Sequence, residues 1–488
     1  MFLGIDVGTS GVKAVILGDD GRVLDSASAP LDVQTPAPLW SEQDPDQWWA
    51  STGGAIRKLS PKLREAVMAI GLSGQMHGAT LLGKDDRPLR PAILWNDGRS
   101  SAECAALQTR EPRFLTLGGN LVMPGFTAPK LEWVRRHEPD VFAATTKVLL
   151  PKDYVRLRMT GGYASDMSDS AGTLWLDVAE RDWSDPLLDA CGLETHQMPE
   201  LFEGTAAAGE LRAEVASDWG MSRVPVCAGG GDNAASAVGS GVTQPGEALM
   251  SLGTSGVIFV ATDTFRSNPD SGVHAFCHAL PDRWHVMSVM LSAASCLDWG
   301  AKLTGCDGVD AFVALAESSP LSASTPLFLP YLSGERTPHN DPNAKGAFFG
   351  LTHATGPADL ARSVLEGVAM GMADGLGAIS QADISVDSLS VVGGGSRSRF
   401  WGQILASALQ RPLDYREGAD VGAALGAARL AAISLSPGAQ DAWSVPPELL
   451  FSVASDADMA DMYSQRRAQV SSLYHATQPI SEGGYRAR

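Results

Sequence analysis

The chain has 488 residues, a formal charge of −19, 44% hydrophobic and 19% charged residues, and no apolar run of membrane-spanning length. That balance argues against a nucleic-acid or anionic-membrane partner, yet allows an anionic ligand held locally by backbone N–H groups and a cation. Six scattered cysteines without a CxxC pair are expected to be reduced and buried. The first residues lack the cationic start and cleavage site of an export signal, so a cytoplasmic protein of two or three domains is expected.

In chain order, "FLGIDVGTSGVKAVIL" (2–17) reads as two strands turning at Gly8, Thr9, Ser10 and Gly11. "AVMAIGLSGQMHGATLL" (66–82) reads as strand, Gly-containing loop and strand. "VPVCAGGGDNAASAVGSG" (224–241) reads as a buried strand, three glycines and an Ala-rich helix beginning near Asp232. "GSGVTQPGE" (239–247) supplies turn residues for a domain boundary, giving domains over 1–243 and 244–488. "ALMSLGTSGVIFVAT" (248–262) then repeats the GTSG hairpin, which predicts an internal duplication and two α/β halves facing each other across a cleft. "DSLSVVGGGSRSRFWGQILASAL" (387–409) predicts strand, GGG and a helix with Phe400, Ile404, Leu405 and Leu409 on one stripe. "DVGAALGAARLAAISL" (420–435) predicts a small-residue helix capable of close packing, and the last 50 residues a peripheral helix and frayed tail.

A Gly/Thr/Ser hairpin can aim consecutive N–H groups at a phosphate, although a single such loop is no more than a tight turn. Its repetition, with Asp6 two residues before the first copy, favours a pair of phosphate cradles with Asp6 holding hydrated Mg²⁺. The alternative for Asp6 is a strand-end acid capping local N–H groups. No GxxxxGK[ST] occurs, and "VVGGGSRS" is a weak dinucleotide fingerprint; Gly393, Gly394 and Gly395 fit better as a flat surface for adenine and ribose.

Asp232 combines two readings: N-cap of its helix, and base for an attacking sugar hydroxyl at the cleft floor. An ordinary carboxylate pKa of about 3.9 suffices for that role. His77 could bond a hydroxyl or carbonyl oxygen and Met76 cover a sugar's carbon face, or the histidine could be purely structural. "LWNDGR" (94–99) offers Trp95 and polar forks for polyol recognition, or a salt-bridged supporting turn. "YLSGERTPHNDP" (331–342) reads as a loop at the cleft mouth.

Those residues carry a resemblance to the FGGY carbohydrate kinases, of the actin/hexokinase/Hsp70-like (ribonuclease H-like) ATPase fold. "MPGFTAPKLEWVRR" (123–136) and "GAFFGLTHATGPADLARSVLEG" (346–367) look like the family's two signatures. "GIDVGTSGVK", "WSEQDPDQWW", "GQMHGATLL", "PAILWNDGR" and "AGGGDNAASAVG" are similar, in the same order, to its xylulose-phosphorylating branch. The resemblance implies ATP-dependent phosphorylation of D-xylulose with Mg²⁺. It makes Asp232 the base, Asp6 the acid near the metal, and Met76, His77, Asp232, Asn233 and Trp95 the sugar site. Gly8, Thr9, Ser10 and Gly253, Thr254, Ser255 become phosphate loops, with Gly393–395 beside the adenosine; a homodimer is allowed. Other acceptors (ribulose, allulose, arabinitol), a nucleotide-driven clamp of the same fold and a silent sugar sensor are the competing readings.

Overall fold

The computed structural model describes residues 1–417, 422–436 and 438–484. Two seven-stranded sheets dominate it. The first is built from β1 (Phe2–Val7), β2 (Gly11–Leu17), β3 (Val23–Pro30), β4 (Ala69–Gly74), β5 (Ala207–Glu210) and β6 (Pro225–Cys227), in the order β5-β6-β4-β1-β2-β3, with the short pair Gly230–Gly231 added beside β4. The second contains β7 (Ala248–Leu252), β8 (Gly256–Thr262), β9 (His274–Cys277), β10 (Trp284–Met290), β11 (Leu389–Val392), β12 (Leu413–Arg416) and β13 (Leu449–Val453), in the order β9-β10-β8-β7-β11-β12-β13.

Each GTSG turn closes an antiparallel hairpin whose first strand also pairs in parallel with another strand: β1 with β4, and β7 with β11. Each turn is closed from its first glycine, spanning three residues in the first copy and two in the second. Gly8 N–H donates to Gly11 O at 3.1 Å, and Gly253 N–H to Ser255 O at 3.1 Å. The repeated tetrapeptide thus marks equivalent corners of two similar sheets. β1 is buried on both faces, which explains its nearly unbroken apolar run around Asp6.

The helix α1 (Asp232–Ser240) follows the glycine run as expected. Later helices are α2 (Ala294–Thr304), α3 (Pro357–Ser380), α4 (Arg399–Leu409), α5 (Gly422–Leu435) and α6 (Ala457–Gly484). Ile404, Leu405 and Leu409 of the α4 stripe are buried and Phe400 is half-buried against the same core. Residues 420 and 421 of the expected small-residue helix lie outside the described residues.

The α5 helix crosses to the first sheet, although its sequence belongs to the second half of the chain. A Cβ on Gly4 would stand 1.9 Å from Ala424 O, one on Gly71 1.9 Å from Ala427 O, and one on Gly426 1.8 Å from Ala235 O. Only missing side chains let this helix lie on β1, β4 and α1. The tail also differs from expectation. Residues 449–453 form β13 at the sheet edge, and α6 buries Tyr463, Val470 and Tyr474 while Arg466 pairs with buried Glu366 at 3.1 Å. The C-terminal segment is therefore part of the second core. Amphipathic spacing there was weakened by polar residues that turn out to be paired inside.

Five of the six cysteines are buried, Cys306 is half-buried, and none forms a disulfide. Among the described residues no helix is long and apolar enough to cross a membrane.

Candidate active site

β-sheet register brings the two acids together. Asp6 lies opposite Ser73 in the parallel β1–β4 pair, and Ser73 lies opposite Gly230 on its other side. Asp232 follows that glycine pair directly, so the carboxylates converge at one end of the first sheet. Burial, reinforced by the Asp6 charge, raises the Asp232 pKa to about 7; the Asn233 amides oppose the shift. Burial likewise raises Asp6 to about 6 against the Ser73 hydroxyl and the Lys13 charge opposite it in β2.

Two expectations for Asp232 need correction. It is the first residue of α1 rather than its N-cap, which is Gly231, and no side chain caps the helix. Its Oδ1 instead accepts Asn233 N–H at 2.7 Å and Asn233 Nδ2–H at 2.9 Å. Nor does it keep an ordinary carboxylate pKa, because the sequence could not show how dry its surroundings are. Gly231 has no room for a side chain: a Cβ there would stand 2.9 Å from Met76 Cγ. The thioether fills that space and supports the strand leading into Asp232.

The first loop rests on buried glutamines. Thr9 Oγ1 donates to Gln75 Oε1 at 3.1 Å and accepts Trp95 Nε1–H at 3.0 Å. Gln43 Nε2 donates to Thr9 O at 2.7 Å, while Gln43 Oε1 accepts Gln75 Nε2–H at 2.8 Å and Trp48 Nε1–H at 2.9 Å. The loop is clamped from beneath, with Ser10 exposed; Gly8, Thr9 and Ser10 line neither of the two cavities described below. In the second loop Ala293 N–H donates to Thr254 O and Ala294 N–H to Gly253 O, both at 2.9 Å, so the start of α2 performs the clamping.

A cavity of about 260 Å³ is lined by Met76, His77, Trp95, Asp232 and Asn233, together with Ser255, His274 and Arg336 from the second half. His77 has φ 68°. Its carbonyl accepts Lys130 Nζ–H at 2.9 Å and Thr127 Oγ1–H at 3.2 Å, so the lysine of the first signature supports this unusual backbone. His77 Nδ1 lies 2.7 Å from Gly172 O, which can only accept. Burial and the Lys130 charge lower its pKa to about 3, so the ring is neutral, protonated at Nδ1, and its Nε2 is an acceptor. Trp95 is 41% exposed and forms the cavity wall. The other charged residues of "LWNDGR" do serve a supporting turn. Arg99 pairs with Asp97 at 2.7 Å and Glu42 at 2.6 Å and stacks 3.7 Å over Trp40.

A second cavity of about 440 Å³ is lined by Gly253, Thr254, Gly394, Gly395, Leu297 and Trp401, among others. The 253–255 loop is thus the partition: two of its residues face one cavity and Ser255 the other. Gly393 takes φ 92° where a side chain would press on Leu252, and Gly395 is equally confined by Leu252 and Trp401. Gly394 faces open space.

One carboxylate oxygen in the site is open to a hard cation. Asp6 Oδ1 is buried without a hydrogen-bond partner, an expensive state that a cation would relieve. Among the described residues no group of three His, Cys, Asp or Glu side chains could hold a metal, so a cation here would depend on Asp6, water and the ligand's own oxygens.

Two similar α/β sheets, a loop dividing two cavities and a carboxylate lining one of them fit a phosphotransferase cleft. Residues 1–239 match the profile of the FGGY family of carbohydrate kinases, N-terminal domain, and residues 248–435 the corresponding C-terminal domain. The chain belongs to that family. It is 56% identical over 483 residues to the xylulose kinase of Escherichia coli (strain K12), covering 98% of this chain and 100% of that one. It is 58% identical over 437 residues to the xylulose kinase of Klebsiella pneumoniae, covering 89% and 90%. Among solved structures, a xyloylose kinase from Brucella ovis superposes with TM-score 0.94 at 48% identity, covering 98% and 99%.

Sequence reasoning missed Gln43, Gln75, His274 and Arg336. The first two lie in segments singled out for other residues, and the last lies in the polar loop assigned only to the cleft mouth.

Proposed function

We propose that this chain transfers the γ-phosphoryl group of ATP to the C5 hydroxyl of D-xylulose, giving D-xylulose 5-phosphate and ADP. The observation that carries this reading is the partition: Ser255 and Asp232 line one cavity, while Gly253 and Thr254 line the next. The acceptor follows the relatives, which are xylulose kinases.

In this reading Asp232 Oδ2 takes the proton of the attacking hydroxyl while Asn233 holds Oδ1 in place. A pKa of about 7 matches that task near neutral pH. Phosphoryl transfer has a loose transition state, so positioning and charge stabilisation dominate. Gly8–Ser10 and Gly253–Ser255 hold the phosphates, and Gly393–Gly395 lie beside the adenosine. Met76, His77, Asn233 and Trp95 surround the sugar. Asp6 would hold hydrated Mg²⁺, which supplies neutralisation of the phosphate charge when bound. Residues 1–243 and 244–488 would act as the two bodies of a closing cleft, in the cytoplasm where its cysteines stay reduced.

The test is ADP release measured with D-xylulose, D-ribulose, D-allulose, arabinitol, glycerol and no sugar. D-xylulose should give the highest kcat/KM and Asp232→Asn should abolish turnover while nucleotide still binds. Sugar-independent ADP release, or near wild-type turnover in the variant, would refute the assignment. Asp6→Ala should lose rate and shift the Mg²⁺ titration.

A further inference from the structure

Arg336 brings a positive charge into the smaller cavity from the second half of the chain. Among the described residues its guanidinium forms no ion pair and donates no hydrogen bond; its backbone N–H donates to Glu335 Oε1 at 2.7 Å and its carbonyl accepts Asn340 N–H at 2.5 Å. Its backbone is held on both sides. Glu335 Oε1 also accepts Leu291 N–H at 3.0 Å, while Thr337 exchanges bonds with Val289 at 3.0 and 3.1 Å and donates to Gly272 O at 2.9 Å. A preorganised, buried arginine that faces a cavity with no direct ion pair, and feels only the neighbouring Glu335 carboxyl, is costly unless a ligand engages it.

Two histidines lining the same cavity complement that donor. His77 is neutral with an accepting Nε2, as derived above. His274 Nδ1 lies 3.1 Å from Asn120 Oδ1, which also accepts Ala275 N–H at 3.1 Å, while Asn120 Nδ2 donates to Gly118 O and Ala275 O. That network orients the amide oxygen toward His274 Nδ1, so its Nε2 too is an acceptor. Arg336 lowers the pKa of both rings, whereas the charge Asp232 feels is that of Asp6. Asp232 enters the cavity from the first half of the chain and Arg336 from the second.

The chemistry of the acceptor supplies the remaining step. A 2-ketopentose forms its five-membered ring through O5, so a sugar whose O5 is free to attack phosphorus is open-chain and carries a bare carbonyl. A carbonyl oxygen only accepts, and neither imidazole can donate to it through Nε2.

We propose that Arg336 is the specificity residue of the acceptor site, donating to the carbonyl oxygen of an open-chain ketose whose terminal hydroxyl lies at Asp232. The inference rests on the phosphoryl-transfer reading above and deepens it: the pocket selects ketoses over the corresponding polyols.

Binding of D-xylulose and of xylitol, which carries CHOH in place of the carbonyl, is measured by calorimetry on wild type, Arg336→Gln and Arg336→Lys. Loss of a charged hydrogen bond should weaken D-xylulose binding roughly 10- to 100-fold in Arg336→Gln while xylitol changes less than about 3-fold. Arg336→Lys, which keeps a cation without the fork, should fall between. In turnover the D-xylulose defect should lie mainly in KM, with KM for ATP unchanged. Equal losses on the two ligands, or an unchanged D-xylulose to xylitol ratio in both variants, overturns the proposal. Should Arg336→Gln fail to fold, the ratio in Arg336→Lys decides. A wild-type protein that phosphorylates no sugar refutes the parent reading instead, a result independent of any Arg336 variant.

Discussion

Ser168 Oγ accepts the Gly231 N–H at 3.0 Å, one residue before Asp232. Ser168 Oγ in turn donates to Asp166 Oδ2 at 2.5 Å, and Lys152 Nζ pairs with Asp153, Asp166 and Asp169 at 2.7–2.9 Å, all fully buried. Ion clusters of this kind add little net stability, since desolvation offsets attraction, but losing one member is expensive. The geometry indicates a rigid support for the strand that leads into Asp232, the proposed base. Ser168→Ala should lower kcat about 10-fold and move the acidic limb of the pH profile, with KM for ATP unchanged. A pH profile superimposable on wild type would reduce Ser168 to a packing role.

The raised pKa of Asp232 ties activity to pH with a definite sign. In the proposed role Asp232 must be deprotonated, so kcat/KM should climb through about pH 7 as pH rises and flatten above it. Stability runs the opposite way. A carboxyl whose folded pKa lies above its ordinary value of 3.8 stabilises the fold most below about pH 4, and that contribution is lost as pH rises through about 7. Asp232→Asn escapes the loss. Its Tm should equal that of wild type near pH 4 and exceed it increasingly toward pH 8, measured by scanning calorimetry.

Gln75 holds Thr9 from beneath while also bonding Gln43. Gln75→Met keeps the volume and removes these bonds together with a longer one from Gln75 Nε2–H to Gly8 O at 3.5 Å. We expect KM for ATP to rise about 3- to 10-fold with a Tm loss of a few degrees, because Thr9 and the Gln43 carbonyl oxygen each lose a buried partner. Unchanged nucleotide kinetics would show that the loop holds its shape without the glutamines.

Gly394 and Gly395 should separate binding from folding. A Cβ on Gly394 meets nothing within 4 Å, whereas one on Gly395 would stand 2.7 Å from the Trp401 ring and 2.8 Å from Leu252 Cβ. Gly394→Val should therefore raise KM for ATP at near-normal Tm, by occupying the larger cavity. Gly395→Val should lower Tm first. Thermal melts with and without ADP distinguish the two.

Local patterns carried much of the fold and the site. The alternation of apolar runs with GTSG turns determined both hairpins, because hairpin geometry depends on residues adjacent in the chain. The glycine run before Asp232 and the small residues of α5 were legible for a similar reason: close backbone approach demands missing side chains wherever it occurs. What the sequence could not decide were relationships across large separations. That α5 lies on the opposite half's sheet, that Asp6 and Asp232 share one dry corner, and that Arg336 enters the cavity lined by Asp232 all follow from sheet register and burial, which set the electrostatics of a carboxylate or a guanidinium. Residue identity names a group that can carry charge; only the packed surroundings determine how strongly it holds its proton and what it faces.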